Sequence, residues 1–118
     1  MKITERGWPG HFILCDRCLF RRNTLVEHDD IAVVISTVGL LKARDGDKFE
    51  TVGSGRYFET MAFHADKSDK WKDAIIDKQI FLDCKCTIDK IDAEDDANDM
   101  HDAAVKEIRN MIVKGDLA

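Results

Sequence analysis

The sequence predicts an α+β fold in which an antiparallel sheet packs against a C-terminal amphipathic helix. Two observations predict it. Segments rich in β-branched residues follow one another with short connections, and the C-terminal segment carries apolar side chains at spacings of three and four. Strands joined by short turns pair antiparallel, whereas a helix with one apolar stripe needs a face to cover. We therefore expect a meander of about five strands and one helix within a single domain, residues 1–118.

Three strands are expected in the first part of the chain. Gly7–Gly10 predicts a turn, because the residue before a proline avoids the α conformation. Strands are predicted at His11–Cys15, Leu19–Glu27 and Ile31–Leu41, with a turn at His28–Asp30 between the last two.

The third predicted strand is apolar on both faces. Alternation places Val33, Ile35 and Leu41 on one face and Val34, Val38 and Leu40 on the other. A strand exposed on one side alternates apolar and polar residues, so this one is expected to be central and covered twice. The second cover would be another sheet layer, a barrel interior or a second protomer, and the last option predicts a homodimer.

Two further strands are expected before the helix. Arg56–Ala65 follows a turn at Val52–Gly55, and a loop rich in lysine and aspartate comes next. Gln79–Asp89 then alternates regularly, which predicts one half-buried strand. Its inward-facing residues would be Ile80, Leu82, Cys84, Cys86 and Ile88.

The predicted helix ends the chain. Its stripe comprises Met100, Ala103, Ala104, Ile108, Met111 and Ile112. Asn98 or Asp99 is expected to cap its start, and Lys114-Gly115 marks its end. The acids before it alternate as in a calcium loop but lack the central glycine and the closing glutamate, so we interpret Asp92–Asn98 as an acidic linker.

The net charge of −5 is unevenly distributed. Residues 1–26 carry five basic and two acidic side chains, a net charge of +3. Residues 27–118 carry thirteen basic and twenty-one acidic side chains, a net charge of −8. An acidic domain of this kind is a poor general binder of nucleic acid. No apolar run approaches the roughly 20 residues of a membrane helix, so no membrane association is expected. The first residues lack the apolar core of a secretory signal, and the four cysteines are predicted to be reduced thiols in the cytoplasm.

The cysteines raise the question of a metal site. Cys15 and Cys18 have the spacing of a zinc knuckle, and Cys84 and Cys86 could complete a set of four thiolates. Cys84 and Cys86 are separated by one residue and have aliphatic neighbours on the same face, so we favour space-filling thiols. We therefore expect no cofactor, with a zinc-stabilised interaction module as the alternative.

Basic and aromatic residues on the predicted strands are candidate ligand-binding groups. Arg22 shares a mostly apolar row with Cys18 and Phe20, and a guanidinium there needs a partner or a wet pocket. A small anionic ligand such as a nucleotide could be held by the candidate residues Arg21, Arg22, Arg56, Tyr57 and His64. No catalytic residue is predicted.

Five blocks spread over most of the chain carry a resemblance: Glu5–Phe12, Cys18–Leu25, Val34–Gly39, Gly55–Phe63 and Ala97–His101. In these blocks the sequence resembles small uncharacterised proteins encoded in bacteriophage and prophage genomes. The resemblance implies an accessory viral gene product in the cytoplasm of a bacterial host, and it supplies no activity.

The leading functional hypothesis is a non-enzymatic protein that binds a host protein, for instance in counter-defence, through its acidic surface or its arginine-bearing face. The alternatives are a small-molecule or nucleotide-binding protein, or a small enzyme, with an arginine-lined site, and the zinc-stabilised module.

Overall fold

An antiparallel sheet with a single helix on one face makes up the computed structural model. The structure describes residues 1–7, 11–12, 15–44, 46 and 48–117, with the backbone alone at Cys15. The elements of this part of the chain are β1 (Lys2–Arg6), a 3₁₀ turn (Cys15–Arg17), β2 (Cys18–His28), β3 (Ile31–Lys42), β4 (Phe49–Glu50), β5 (Phe58–Ala65), β6 (Ala74–Ile80), β7 (Thr87–Ile88) and α1 (Glu94–Lys114). The predicted α+β class, with an antiparallel sheet against a C-terminal helix, is confirmed.

The sheet has the order β1-β2-β3-β5-β6, with β4 added to β3 and β7 added to β5. The β2–β3 hairpin keeps one register from Cys18 opposite Leu41 to His28 opposite Ile31. Asp29 takes a positive φ of 52° in its turn, a conformation that aspartate tolerates better than most residues. Because β3 lies between β2 and β5, it is central, as its composition predicts.

Both faces of β3 are buried. Val33 and Ile35 pack with Ile108 of α1, whereas Val34 packs on the opposite face with Leu25. This second face is covered by connections within the same chain. Because neither another sheet layer nor a second protomer is needed to cover it, this face does not support the homodimer, which stays a prediction.

The connection between β5 and β6 forms part of that cover. Arg6 Nη1 donates a hydrogen bond to the carbonyl oxygen of Trp71 over 2.6 Å, and Lys72 forms an ion pair with Glu27. Val52, from the connection after β4, packs against the same face further along.

Leu40 and Leu41 lie on the faces opposite to those predicted. Leu40 packs with Phe58 and Met100 on the helix side, whereas Leu41 packs with Val38 on the second face. The cause is the backbone of Leu40, whose φ of 53° interrupts the β conformation. A single residue outside that conformation shifts the alternation of all that follow.

The strand predicted at His11–Cys15 is wrong in its described part. Cys15 begins the 3₁₀ turn, and His11 and Phe12 lie in a bend. Ile13 and Leu14 lie outside the described residues, as do three of the four residues of the predicted Gly7–Gly10 turn. Strand β1, which the prediction missed, pairs instead with Asn23–Glu27.

The single strand predicted over Gln79–Asp89 is also wrong. β6 begins earlier, within the predicted loop, and ends at Ile80. Ala62 of β5 pairs with Ile80, and Glu59 of β5 pairs with Thr87. These two pairs are three residues apart on β5 but seven residues apart on the chain that runs from β6 to β7. The surplus residues have to leave the sheet, and the chain between β6 and β7 forms an excursion.

Side-chain oxygen atoms of α1 hold this excursion in place. The backbone amides of Asp83 and Cys84 donate to the Glu107 carboxylate over 2.7 and 2.8 Å. Leu82 and Cys84 still pack against the core under α1, so the predicted inward side is correct for them although the strand is not.

The helix starts earlier than predicted. Its N-cap is Ala93, without a side-chain cap, so the predicted cap at Asn98 or Asp99 is wrong, and most of the predicted acidic linker is helical. Ala103 is exposed, and His101 takes a buried position instead. The predicted end is confirmed, because Gly115 caps the helix with a φ of 77°. Across the described ranges, no helix combines the length and apolarity required to cross a bilayer.

Gly39 provides a test of the packing between β3 and β5. A Cβ atom added there would lie 2.2 Å from Phe58 Cδ1 and 2.7 Å from the Tyr57 carbonyl oxygen. We expect Gly39→Ala to lower the free energy of unfolding by about 1–3 kcal/mol, measured by urea denaturation, because the fully buried Phe58 has to move. The control is Gly7→Ala, where an added Cβ meets no atom within 4 Å. Equal stability of the two variants would contradict the described packing.

Candidate functional site

A buried histidine joins α1 to three strands. His101 is fully buried, with Nε2 2.7 Å from Thr24 Oγ1 of β2 and Nδ1 2.7 Å from Thr37 Oγ1 of β3. Thr37 Oγ1 lies 2.6 Å from Thr60 Oγ1 of β5. The three threonines are themselves buried, so the network crosses the interface between helix and sheet.

The donor at each position follows from the carboxylate at one end of the network. Thr24 donates its hydroxyl proton to Glu5 Oε2 over 2.9 Å, and a hydroxyl has only one proton. Thr24 must then accept a hydrogen bond from His101 Nε2–H. In a neutral imidazole Nδ1 is the acceptor, so Thr37 donates to it and Thr60 donates to Thr37.

The imidazole is neutral at pH 7. Burial, together with the charge of Arg22, lowers the pKa of His101 to about 4, although the charges of Glu5 and Asp102 oppose this shift. A neutral ring can occupy this position because both of its nitrogen atoms have partners, which avoids the cost of a buried unsatisfied group.

The same network reaches the surface at Arg22. Its guanidinium binds both carboxylate oxygens of Glu5, over 2.9 and 3.1 Å, and Asp102 Oδ1 over 2.9 Å. Although burial raises the pKa of Glu5, hydrogen bonds from Arg22 and Thr24 bring it below its ordinary value. The hydrogen bond to Glu5 raises the pKa of Arg22 in turn. Arg22 thus links β1, β2 and α1. Glu5 and Asp102 are the partners that the guanidinium needs, because it lies in a mostly apolar row.

An open groove of about 640 Å³ runs beside this bridge, between β1 and α1. Arg22, Glu5 and Asp102 line one end, and Lys106 and Arg109 of α1 line its wall. We call it the β1 groove. The residues that complete it are Met1, Ile3, Thr24, Val105, Asn110 and Val113.

The five candidate ligand-binding residues do not form one site. Arg22 lies in the β1 groove, whereas the neighbouring Arg21 is exposed and pairs with Val38, which packs on the second face. Tyr57 is half-buried against the aromatic cluster of Phe20 and Phe58.

Arg56 and His64 lie at two further places. Arg56 Nη1 binds Glu59 Oε1 over 3.0 Å, and the other carboxylate oxygen of Glu59 contacts His11 Nε2 over 3.2 Å. The hydrogen bond from His11 lowers the pKa of Glu59, and burial opposes it. His64 lines a separate groove with Lys67 and Lys78. Since Arg22 and Arg56 each already bind carboxylates, an anion would have to displace a tethered partner from either one.

The cysteines are divided between the two faces of the sheet. Cys18 packs with Val38 and Leu41 on the second face, and Cys84 packs on the helix side. The Cys86 thiol donates to the Cys84 carbonyl over 3.2 Å. Burial raises the pKa of Cys84 to about 12 and raises that of Cys86 as well. The side chain of Cys15 lies outside the described residues, and among those described no cluster of three or more histidine, cysteine or acidic side chains could hold a metal ion.

The first half of α1 and the residues before it form an acidic surface. Seven exposed carboxylates belong to it: Asp89, Asp92, Glu94, Asp95, Asp96, Asp99 and Asp102. With Lys90 as the one basic residue of 89–102, this segment has a net charge of −6, compared with −5 for the whole chain. We call it the acidic segment. Within the described ranges, Asp102 is the one member that forms an ion pair.

Two elements of these sites were missed from the sequence. Strand β1 supplies Glu5, and its charged residues hide it from a search for apolar alternation. His101 has a signal in the helix periodicity, because Ala97, His101, Ala104 and Ile108 follow at spacings of four, three and four, and all are buried. A polar residue inside an apolar stripe predicts a polar partner across the interface.

Comparison with known proteins gives no match: no protein-family model, no curated protein and no solved structure is significantly similar to the chain.

His101 predicts a loss of stability in mild acid. The ring is neutral in the folded protein, whereas in the unfolded chain it binds a proton below its ordinary pKa of 6.5, so the unfolded state is favoured as the pH falls from 6.5 towards 4. We expect the free energy of unfolding to fall by on the order of 2–3 kcal/mol between pH 7 and 4.5 through this group.

The measurement is urea denaturation at several pH values, with His101→Gln as the comparison because glutamine stays uncharged. Glu5 and Glu59 have lowered pKa values, so their contributions are lost only below about pH 4.5. Parallel pH profiles for the wild type and His101→Gln would contradict the prediction.

The arginine geometry predicts that nucleotides do not bind. We expect a panel of nucleoside mono-, di- and triphosphates to leave the midpoint of thermal unfolding unchanged, because Arg22 and Arg56 bind carboxylates of the same chain. A ligand at a hundredfold excess over its Kd would stabilise the fold by ~2.7 kcal/mol. A shift of that size, lost in Arg22→Ala or Arg56→Ala, would instead support the small-molecule alternative.

Proposed function

We propose that this chain is a phage-encoded accessory protein that binds a protein of the bacterial host in the cytoplasm without catalysing a reaction. The observation that carries the proposal is the acidic segment, whose net charge of −6 is concentrated in residues 89–102. A basic surface on a host protein is the matching partner. A component of defence or replication that uses such a surface for nucleic acid would be blocked by occupation of it.

The acidic segment suits this role because, apart from Asp102, none of its carboxylates forms an ion pair within the described residues. Glu94, Asp95 and Asp96 lie in the first turn of α1, where the helix dipole stabilises negative charge. Asp92 precedes the helix and Asp99 lies beyond its first turn, so the dipole does not account for the whole cluster. Concentrated charge of one sign also accelerates association with an oppositely charged partner.

A shallow depression of about 320 Å³ lies within this surface. Asp96, Asp99 and Lys85 line it together with the apolar side chains of Ile88, Met100 and Ala103. Charged side chains around an apolar floor match an interface with a polar rim and a desolvated centre.

The non-enzymatic part of the proposal is supported by the way the reactive groups are used. His101 is buried with both ring nitrogens hydrogen-bonded, and the Cys84 and Cys86 thiols have raised pKa values, which disfavour the thiolate. The phage origin and the cytoplasmic setting rest on the sequence resemblance.

The test is a pull-down from bacterial lysate with the immobilised chain. The test variant replaces Asp92, Asp95, Asp96 and Asp99 by asparagine. The matched control replaces four exposed aspartates elsewhere, Asp16, Asp30, Asp77 and Asp83, so both variants have the same net charge.

We expect the wild type and the control to capture the same host protein, and the test variant to bind it at least tenfold more weakly. Binding should weaken with salt, because exposed charges are screened. Arg22→Ala and Arg56→Ala test separately whether either arginine contributes to the binding, because the two lie at different places on the molecule. Equal capture by the two aspartate variants would contradict the role of the acidic segment.

A further inference from the structure

The outer edge of β1 is regular and open. β1 pairs with β2 without interruption from Lys2 to Arg6, and among the described residues β2 is its one sheet neighbour. In an antiparallel strand alternate residues direct their N–H and C=O groups away from the neighbour, so the far side of β1 presents unpaired backbone groups over residues 2–5. At the other edge of the sheet, the pairing of β6 is broken by a register shift between Phe63 and Ala65, which is unfavourable for adding another strand.

Apolar side chains lie beside this edge. Ile3 of β1 is 43% exposed, and Val113, across the β1 groove on α1, is 78% exposed. Met1 adds a third exposed apolar side chain to the same groove. Apolar residues that flank an open strand edge favour the burial of side chains from an added strand.

Uncompensated positive charge lies on the wall of the groove. Lys106 and Arg109 project from successive turns of α1, and neither has an ion pair in the part of the chain that the structure describes. Arg22, at the end of the groove, differs from them because Glu5 and Asp102 already neutralise it. The charge available to a ligand in the groove is therefore positive.

We propose that β1 and its groove bind an extended segment of a partner protein, which adds to the sheet as an outer strand. Backbone hydrogen bonds to β1 would provide affinity, and the side chains that face α1 would provide specificity. On that face every second residue of the segment contacts the groove, and the pattern that fits is an alternation of apolar and acidic side chains. The apolar ones pack against Ile3 and Val113, and the acidic ones bind Lys106 and Arg109.

This inference is independent of the proposed role of the acidic segment, because it uses a different part of α1 and the opposite sign of charge. The aspartate-to-asparagine variants of the pull-down leave Lys106 and Arg109 unchanged. Failure of either proposal therefore leaves the other standing.

The experiment titrates the full chain, labelled with ¹⁵N, with the synthetic peptide VTETVTET, capped at both ends. In a strand this probe presents alternating valine and glutamate on one face. The comparison probe VTKTVTKT replaces each glutamate by lysine. We expect VTETVTET to shift the amide resonances of Lys2–Arg6 and to slow their hydrogen exchange, and VTKTVTKT to bind at least tenfold more weakly.

Two protein variants complete the test. The double variant Lys106→Glu with Arg109→Glu should weaken binding of VTETVTET at least tenfold. Lys114→Glu, an exposed cation of the same helix outside the groove, should bind within twofold of the wild type. Absence of shifts at β1, shifts at β6 instead, or equal binding of the two probes would overturn the proposal.

A second copy of this chain is the competing occupant of the edge. Light scattering over a range of protein concentrations distinguishes it from a foreign segment. A monomer at all concentrations, together with binding of VTETVTET at β1, supports the proposal. A dimer that the Lys106→Glu and Arg109→Glu substitutions dissociate would show that the chain occupies its own edge, and would overturn it.

Discussion

The position of α1 on the sheet depends on the hydrogen bonds of His101. Apolar contacts from Ala104, Ile108 and Ile112 hold the helix against the strands, but contacts of this kind tolerate small shifts along the helix axis. The two hydrogen bonds of the imidazole do not tolerate such shifts, because a displaced ring would have both of its buried nitrogen atoms without partners. His101 therefore fixes the position of α1 along its axis and its rotation about that axis. The acidic segment and the β1 groove, which lie on the two halves of α1, are positioned by the same contacts.

The network also explains how a short charged strand is retained at the edge of the sheet. β1 has a sheet neighbour on one side, yet Glu5 accepts hydrogen bonds from Thr24 and Arg22, and Arg22 continues to Asp102 on the helix. The polar groups at the end of β1 are in this way connected to the core. The bridge and the buried ring share Thr24, so the edge strand and the helix are stabilised by one set of interactions.

The sequence predicts the fold where composition and burial agree. β2, β3 and the apolar stripe of α1 are predicted because their side chains are apolar with the correct period. β1 is missed because an edge strand with charged residues has no apolar alternation. The break between β6 and β7 arises from pairing with β5, and the inverted order of Leu40 and Leu41 arises from one backbone angle, neither of which composition reports.

The candidate sites, like the fold, were predicted in part from the sequence. The need of Arg22 for a partner follows from its apolar row, whereas the identity of that partner depends on the missed strand β1. The arginines do not share one ligand site with Tyr57 and His64. Their positions along the chain do not show which groove each side chain lines.

The opposite charges of the two halves of α1 have a consequence for how the molecule meets others. Carboxylates occupy the start of the helix, and Lys106, Arg109 and Lys114 occupy its last turns. A 21-residue helix is about 30 Å long, so side-chain charges of opposite sign lie far apart on the molecule. In the field of a basic surface the molecule rotates before contact and arrives with its carboxylate end first. The cationic half of the helix, with the β1 groove beside it, then faces away from that surface.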